Sequence, residues 1–258
     1  MKDLAEQKKI AILVDADNTQ LKKLKVILEE LNAHGHVITK RAYGDWSSDY
    51  LKNWKNPLNE LAIQPVQQFA YTTGKNATDA SMIIDAMDLL YSKKYDAFAL
   101  VSSDSDFTRL ASRIREEQLF VFGVGEQKTP LSFRNACDDF IFIENLNNNE
   151  DLLKKDGSSK KIPKGKLDVV SDDILKNIEE LNPYLTKAWE QYQDDEGWVN
   201  IAAVGNFLKR VKPDFDPRSY GYQKVPQIVE RLNNYFEMKK FAGKGTVSII
   251  AYRPLGGK

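Results

Sequence analysis

Asp15 and Asp17 stand one residue apart, as do Asp104 and Asp106, and each pair directly follows a short apolar run. Asn18 follows the first pair, and Asp79 lies between the two. Carboxylates drawn together repel one another unless a cation occupies the space between them. Hard oxygen ligands of this kind select Mg²⁺ or Mn²⁺, and such a site activates water and stabilises an in-line displacement at phosphorus. Each residue also has a plainer reading. An Asp at a strand end is a common cap or turn residue, and Asp106 could simply cap a helix beginning at Phe107. Asp85 and Asp88 read as the solvated face of their helix. The joint occurrence lifts the set above its members, with Asp15, Asp79, Asp104 and Asp106 as metal ligands ranked above Asp17 and Asp85. Asn18 would position water or phosphate through its amide.

The elements around these residues say whether the acids can meet. Residues 10–14 (IAILV) and 97–101 (AFALV) are continuous apolar runs that read as buried strands. Further strands are expected over 36–43, 63–70, 119–124 and 139–143. Helices are expected over 21–31, with Leu21, Leu24, Leu28 and Leu31 on one face, and over 49–61 and 107–117. The strongest helix covers 78–91, capped by Thr78, with Met82, Ile83, Ala86, Leu89 and Leu90 as its apolar face. Strands alternating with helices imply a parallel α/β sheet with helices on both faces. Catalytic groups in such a sheet gather beyond the carboxyl ends of the strands. Asp15 and Asp17, Asp104 and Asp106, and the helix-borne Asp79 would therefore converge on one edge.

The composition changes near residue 147. Residues 148–166 are polar, lysine-rich and aperiodic, and read as a flexible linker. Beyond them, helices around 172–181 and 185–193, the segment from Gly197 to Leu232, and two short strands (235–241 and 246–252) outline a winged helix. A glycine-bearing turn at Gly243 and Gly245 would join the strands. The expected organisation is thus 1–147, a linker over 148–166, and 167–258.

In the second region, Arg218, Tyr220, Tyr222 and Lys224 combine cations with aromatic rings, and Lys209, Arg210 and Lys212 precede them. Aromatic rings stack on unpaired bases while Arg and Lys neutralise phosphate, so RNA, single-stranded or structured, is the partner this set would suit. Phe215 and Tyr220 could equally be core, and Trp198 reads as core.

The charge is zero overall, yet residues 1–148 hold 18 Lys and Arg against 21 Asp and Glu, and the remainder 19 against 16. An acidic half beside a mildly basic one suits a metal site joined to a phosphate-binding module. A single cysteine, Cys137, excludes an intramolecular disulfide, and with only two histidines leaves too few ligands for structural zinc. The charged N-terminus lacks an apolar core for a secretory signal, and no run is long enough to span a bilayer, so a cytoplasmic setting is expected. His34 and His36 are expected at the surface before the second strand, away from the acidic edge. A homodimer is an open alternative.

The segments ILVDADNTQ, KNATDASMIIDAMDLLY, ALVSSDSDFTRLASRIRE and FVFGVGEQKTPLSFRNACDDFIFIENL resemble the NYN domain, a PIN-like nuclease fold, over about residues 9–146. The resemblance implies a metal-dependent endoribonuclease and places Asp15, Asn18, Asp79, Asp104 and Asp106 on the family's metal-binding and catalytic positions. Ala16-Asp17 departs from the family's more usual Gly before the Asn. Residues 167–253, with PDFDPRSYGYQKV, resemble the OST-HTH (LOTUS) domain, a winged helix associated with RNA binding. Two other readings compete. One is an RNA-binding adaptor that does not cut. The other rests on Asp15-Ala16-Asp17-Asn18-Thr19, which also fits the D-x-D-x-T signature of haloacid dehalogenase-like phosphatases. There Asp15 would attack phosphorus, Asp17 would serve as acid and base, and Lys128 with Asp138 and Asp139 would complete the set.

Overall fold

Strand β1 (Lys9–Asp15) is buried on both faces from Ile10 onward, as a strand inside a parallel sheet must be. Its side chains alternate between two cores. Ile10, Ile12 and Val14 pack with Leu24, Ile27 and Leu31 of α1 (Leu24–His34), while Ala11 and Leu13 face the opposite core. The structure, a computed structural model, describes residues 7–69, 77–146, 178–242 and 248–256.

In chain order the first region continues with β2 (His36–Gly44), α2 (Lys55–Glu60), β3 (Gln64–Gln67), α3 (Ala77–Tyr91), β4 (Ala97–Val101), α4 (Thr108–Glu116), β5 (Phe120–Gly125), α5 (Leu131–Ala136) and β6 (Asp139–Phe142). The six strands form one parallel sheet in the order β3-β2-β1-β4-β5-β6. Helices α1 and α2 cover one face; α3, α4 and α5 cover the other. The expected parallel α/β sheet with helices on both faces is therefore what is found. The strand order runs outward from β1 to β3, then reverses at β4 on the other side of β1. That reversal opens a crevice at the carboxyl ends of β1 and β4, the place where ligands bind in open α/β sheets.

Several elements are shorter than their sequence patterns suggest. The helix expected over 49–61 is a 3₁₀ turn (Lys52–Trp54) followed by α2, and the first turn of the 21–31 helix is also 3₁₀. The strand expected over 63–70 pairs only through Gln64–Gln67; it is the sheet's edge, carries Pro65, and residue 70 lies outside the described residues. Thr78 is not a cap but lies within α3.

Helix α3 carries a larger correction. Asp85 is not on a solvated face. Its carboxylate pairs with Arg41 and accepts the Tyr43 hydroxyl, which fastens α3 to β2. Burial, then the bond to Asp85, pushes the Tyr43 phenol well above its usual range. Asp88 does remain exposed. Asp85→Asn should cost about 1.5–3 kcal/mol in urea unfolding, the range for hydrogen bonds to charged groups. An unchanged midpoint would mean that the pair does not hold the helix.

The chain divides into two compact units, Met1–Gly157 and Ser158–Lys258. The expected linker over 148–166, most of the 172–181 helix and the Gly243–Gly245 turn lie outside the described residues. The second unit has α6 (Asn182–Tyr192), β7 (Val199–Asn200), α7 (Ile201–Val211), α8 (Val225–Arg231), β8 (Phe236–Ala242) and β9 (Ser248–Pro254). The strands form an antiparallel sheet in the order β7-β9-β8, and Leu185, Val204, Phe207, Ile228 and Tyr252 share its core. It is a small α+β domain of winged-helix outline. No helix among the described residues is long and apolar enough to cross a membrane.

Candidate metal and nucleic-acid site

Asp15 is the last residue of β1 and is fully buried. A charge there needs partners, and it has them. The Ser102 hydroxyl donates to Asp15 Oδ2 at 2.7 Å, the Asn18 amide Nδ2 donates to the same oxygen at 2.9 Å, and the Asn18 backbone N–H reaches Oδ1 at 3.3 Å. Burial raises the Asp15 pKa, and the bonds from Ser102 and Asn18 oppose that rise. Asn18 therefore gives one amide N–H to Asp15 and also lines the cleft beside the acids. Asp17 and Asn18 are exposed on the loop that follows.

The β4 side is built by its own local bonds. Asp104 has extended backbone (φ −88°, ψ 135°) and caps the 3₁₀ turn Ser105–Phe107, its carboxylate accepting from Asp106 N at 2.9 Å. The cap is thus Asp104; Asp106, for which capping was the plainer alternative, lies inside the turn, exposed. Asp104 N donates to Ser102 Oγ at 3.1 Å, so one hydroxyl joins the β4 loop to the β1 carboxylate. Ser102 is the residue that sequence reasoning passed over; its place one residue after an apolar strand, beside the D-x-D, was the available signal.

Asp79, in the first turn of α3, completes the arrangement. One carboxylate oxygen from each of Asp79, Asp104 and Asp106 lies within 4.8 Å of the others. Oxygens on opposite sides of one Mg²⁺ stand about 4.2 Å apart, from a bond of ~2.1 Å, so a small closing of this group would let three acids serve one hard cation. Asp15 is not in this trio, because its oxygens are turned to Ser102 and Asn18, but its charge is felt. Burial first, then the charges of Asp15, Asp104, Asp106 and Asp17, push the Asp79 carboxyl up to about 6. A group so placed favours either a proton or a cation. Beside the acids, Asp17, Thr19, Ser103, Glu126 and Lys128 line a cleft of ≈ 440 Å³. Lys128 pairs with Glu126 at 2.6 Å.

Ser102→Ala would strip a bond that lowers the Asp15 pKa and disconnect the two loops. A residue that supports ligands in this way should cost about 10–100-fold in metal affinity or activity. The acidic limb of the pH profile should move upward, since the pKa of Asp15 rises when the bond goes. An unmoved limb would assign Ser102 a packing role only.

The phosphatase set does not assemble. Asp138 and Asp139 stand at the amino end of β6, Asp138 accepting from Val121 N at 2.9 Å and pairing with Arg115, at the sheet edge opposite Asp15. His34 and His36 are exposed at the α1–β2 junction, also at that opposite edge.

The chain matches the NYN domain family over residues 9–144, more than half its length. It belongs to the NYN family. NYN domains are a PIN-like nuclease family, which supports a hydrolase acting on nucleic acid. Residues 168–248 match the OST-HTH/LOTUS domain, an RNA-binding module. Among solved structures, the chain is similar to a protein of unknown function from Vibrio parahaemolyticus, with 21% identity, 55% of this chain and 96% of that one covered, and a TM-score of 0.47. An uncharacterized protein from Nitrosomonas europaea (23% identity, 39% and 93% covered, TM-score 0.28) and a fragment from Chromobacterium violaceum (28%, 30% and 83%, 0.26) are also similar. No curated protein matches the chain.

The RNA-binding residues expected in the OST-HTH domain do not form one uniform surface. Tyr220 is 9% exposed, packed on Phe215 at 5.9 Å between ring centroids, and belongs to the core. Its apolar ring is worth more there than on a stacking surface. Tyr222 is half-buried, its hydroxyl buried without a hydrogen-bond partner among the described residues. Arg218 donates through Nε and Nη2 to Asp216 Oδ2 (2.9 and 2.8 Å), and Lys212 pairs with Asp214 at 3.1 Å. Arg210 donates to the Tyr192 hydroxyl, while Lys209 and Lys224 are exposed. Trp198 is buried, as expected, with the Arg253 guanidinium 4.5 Å from its ring centre.

Proposed function

We propose that this NYN protein is a metal-dependent endoribonuclease whose OST-HTH domain binds the RNA. The observation that carries the reading is the meeting of Asp79, Asp104 and Asp106, from two separate segments, beside the buried Asp15 at the sheet's reversal point. Asp79, Asp104 and Asp106 would hold Mg²⁺ or Mn²⁺, and the donor set of carboxylate oxygens suits either ion. The bound ion supplies a Lewis acid that activates water and steadies the phosphorane-like charge. The chain's own residues hold that chemistry in place. Ser102 and Asn18 hold the buried Asp15 carboxyl in place. Asp85, through Arg41 and Tyr43, fixes the helix that presents Asp79. Lys209, Arg210, Lys212, Arg218, Tyr222 and Lys224 would meet RNA, with Lys212 and Arg218 exchanging their carboxylate partners for phosphate.

Product chemistry tests the reading. Hydrolysis by activated water leaves no 2′,3′-cyclic phosphate, because the RNA's own 2′-hydroxyl is not the nucleophile. Mass spectrometry of fragments from a single-stranded oligoribonucleotide should show linear monophosphate ends. Cyclic ends would overturn the assignment, and binding without fragments would favour an adaptor.

A further inference from the structure

The acidic edge poses a problem for its substrate: a polyanion must cross a surface that carries Asp17, Asp79, Asp104, Asp106 and Glu126, with Asp15 buried beneath it. A single divalent ion answers one phosphate only. The neighbouring nucleotides need cations and stacking surfaces close by. These stand directly after β2. We propose that residues 45–55 and the hollow beneath them form the subsite for a nucleotide flanking the scissile bond, an inference that rests on the nuclease reading.

The segment is anchored at the same carboxyl edge as the acids. Asp15 lies opposite Tyr43 in the β1–β2 register, and Ala16 N donates to Tyr43 O at 2.9 Å. Gly44, next in the strand, is so close to the acid-bearing loop that a Cβ there would stand 3.4 Å from Ala16 Cβ and 2.5 Å from Leu51 Cδ1. The loop is further pinned to the end of β3, where Gln67 accepts from Trp46 N and donates to Asp45. Adjacent strands are about 4.8 Å apart, so the segment begins roughly one to two strand spacings from Asp15.

Its chemistry suits one nucleotide. Trp46 is half-buried and held, its indole N–H donating to Val66 O at 3.0 Å and its ring tilted on Trp54 at 6.1 Å. A hollow of ≈ 480 Å³ opens between Trp46, Leu51, Leu58 and Pro65, lined also by Lys52 and Lys55. Tyr50 is 93% exposed, so its ring is open to stacking by a base. Lys52 makes only a surface pair with Asp49 at 3.9 Å, and Lys55 makes no ion pair among the described residues. A fixed indole, an exposed phenol and two cations within ten residues are what a base and its phosphates require. The occupant is a single-stranded RNA nucleotide, its base in the hollow or on Tyr50 and its phosphate near Lys52 and Lys55.

The test uses the full chain. RNA carrying 4-thiouridine is bound in EDTA, irradiated, and the crosslinked peptides are identified by mass spectrometry. A crosslink within residues 45–55 is expected. In parallel, the Tyr50→Ala/Lys52→Glu/Lys55→Glu variant should raise KM for a single-stranded oligoribonucleotide at least about fivefold, the low end of what loss of one base stack produces. Its kcat and its Mn²⁺-induced thermal shift should stay as in the parent. Crosslinks confined to residues 178–256, together with an unchanged KM, would overturn the subsite while leaving the nuclease intact. Crosslinks at 45–55 with no cleavage in Mn²⁺ would instead overturn the nuclease reading and keep the RNA path.

Discussion

Asp104→Asn is expected to abolish RNA cleavage, lowering kcat by at least about 10²-fold, since a ligand should matter no less than its supporting partners. The substitution keeps the shape of the side chain and an oxygen that can still accept from Asp106 N, so the 3₁₀ turn should survive. What it removes is one of three charges that meet at the carboxyl edge. Circular dichroism and thermal unfolding should therefore match the parent within experimental scatter while activity disappears. Retained cleavage in this variant would mean that the trio is not where chemistry occurs. The RNA affinity of the OST-HTH domain should be unaffected, which separates loss of catalysis from loss of binding.

The second large effect lies in the coupling of metal, protons and stability. Burial and neighbouring charges push Asp79 up to about 6, from an ordinary value near 3.8. Between those values the folded chain holds a proton that the unfolded chain releases, so stability falls as pH rises through this window. Asp15, whose pKa burial also raises, contributes with the same sign. Above about 6 the cost is fully present, and a divalent cation would relieve it. At about one hundred times its dissociation constant, a ligand adds about 2.7 kcal/mol, equivalent to a Tm rise of about 5–10 °C for a domain of this size. The rise should be seen with Mn²⁺ at pH 8 and shrink at pH 5, where protons compete. Asp79→Asn should flatten the pH dependence between 4 and 6 and remove the cation response. An equal response at both pH values would show that the ion binds elsewhere.

The frame of the site was legible because its causes are local. IAILV and AFALV are apolar on both faces, and that pattern alone buries β1 and β4. Acids that directly follow such strands must emerge at the carboxyl edge, whatever the rest of the chain does. The details were not legible because they depend on contacts between distant segments. Asp85 looks like a solvated helix residue until Arg41 and Tyr43, more than forty positions earlier, are brought beside it. Asn18 and Asp15 are three residues apart, but the third member, Ser102, is 87 positions away. The choice of Asp104 over Asp106 as the cap follows from the extended backbone at Asp104, which residue type does not reveal. Tyr220 shows the same limit in the OST-HTH domain: its spacing fits a stacking surface, and packing against Phe215 takes it inside.

One measurement bears on the central claim before any variant is made. The purified full chain is mixed with end-labelled single-stranded RNA in EDTA, and Mn²⁺ or Mg²⁺ is then added in excess. The carboxylate edge predicts intact RNA in EDTA and internal cuts after the ion arrives, with small phosphomonoesters untouched. RNA that is bound yet stays whole in the presence of either ion would contradict the account, leaving an RNA-binding protein with an idle acidic edge.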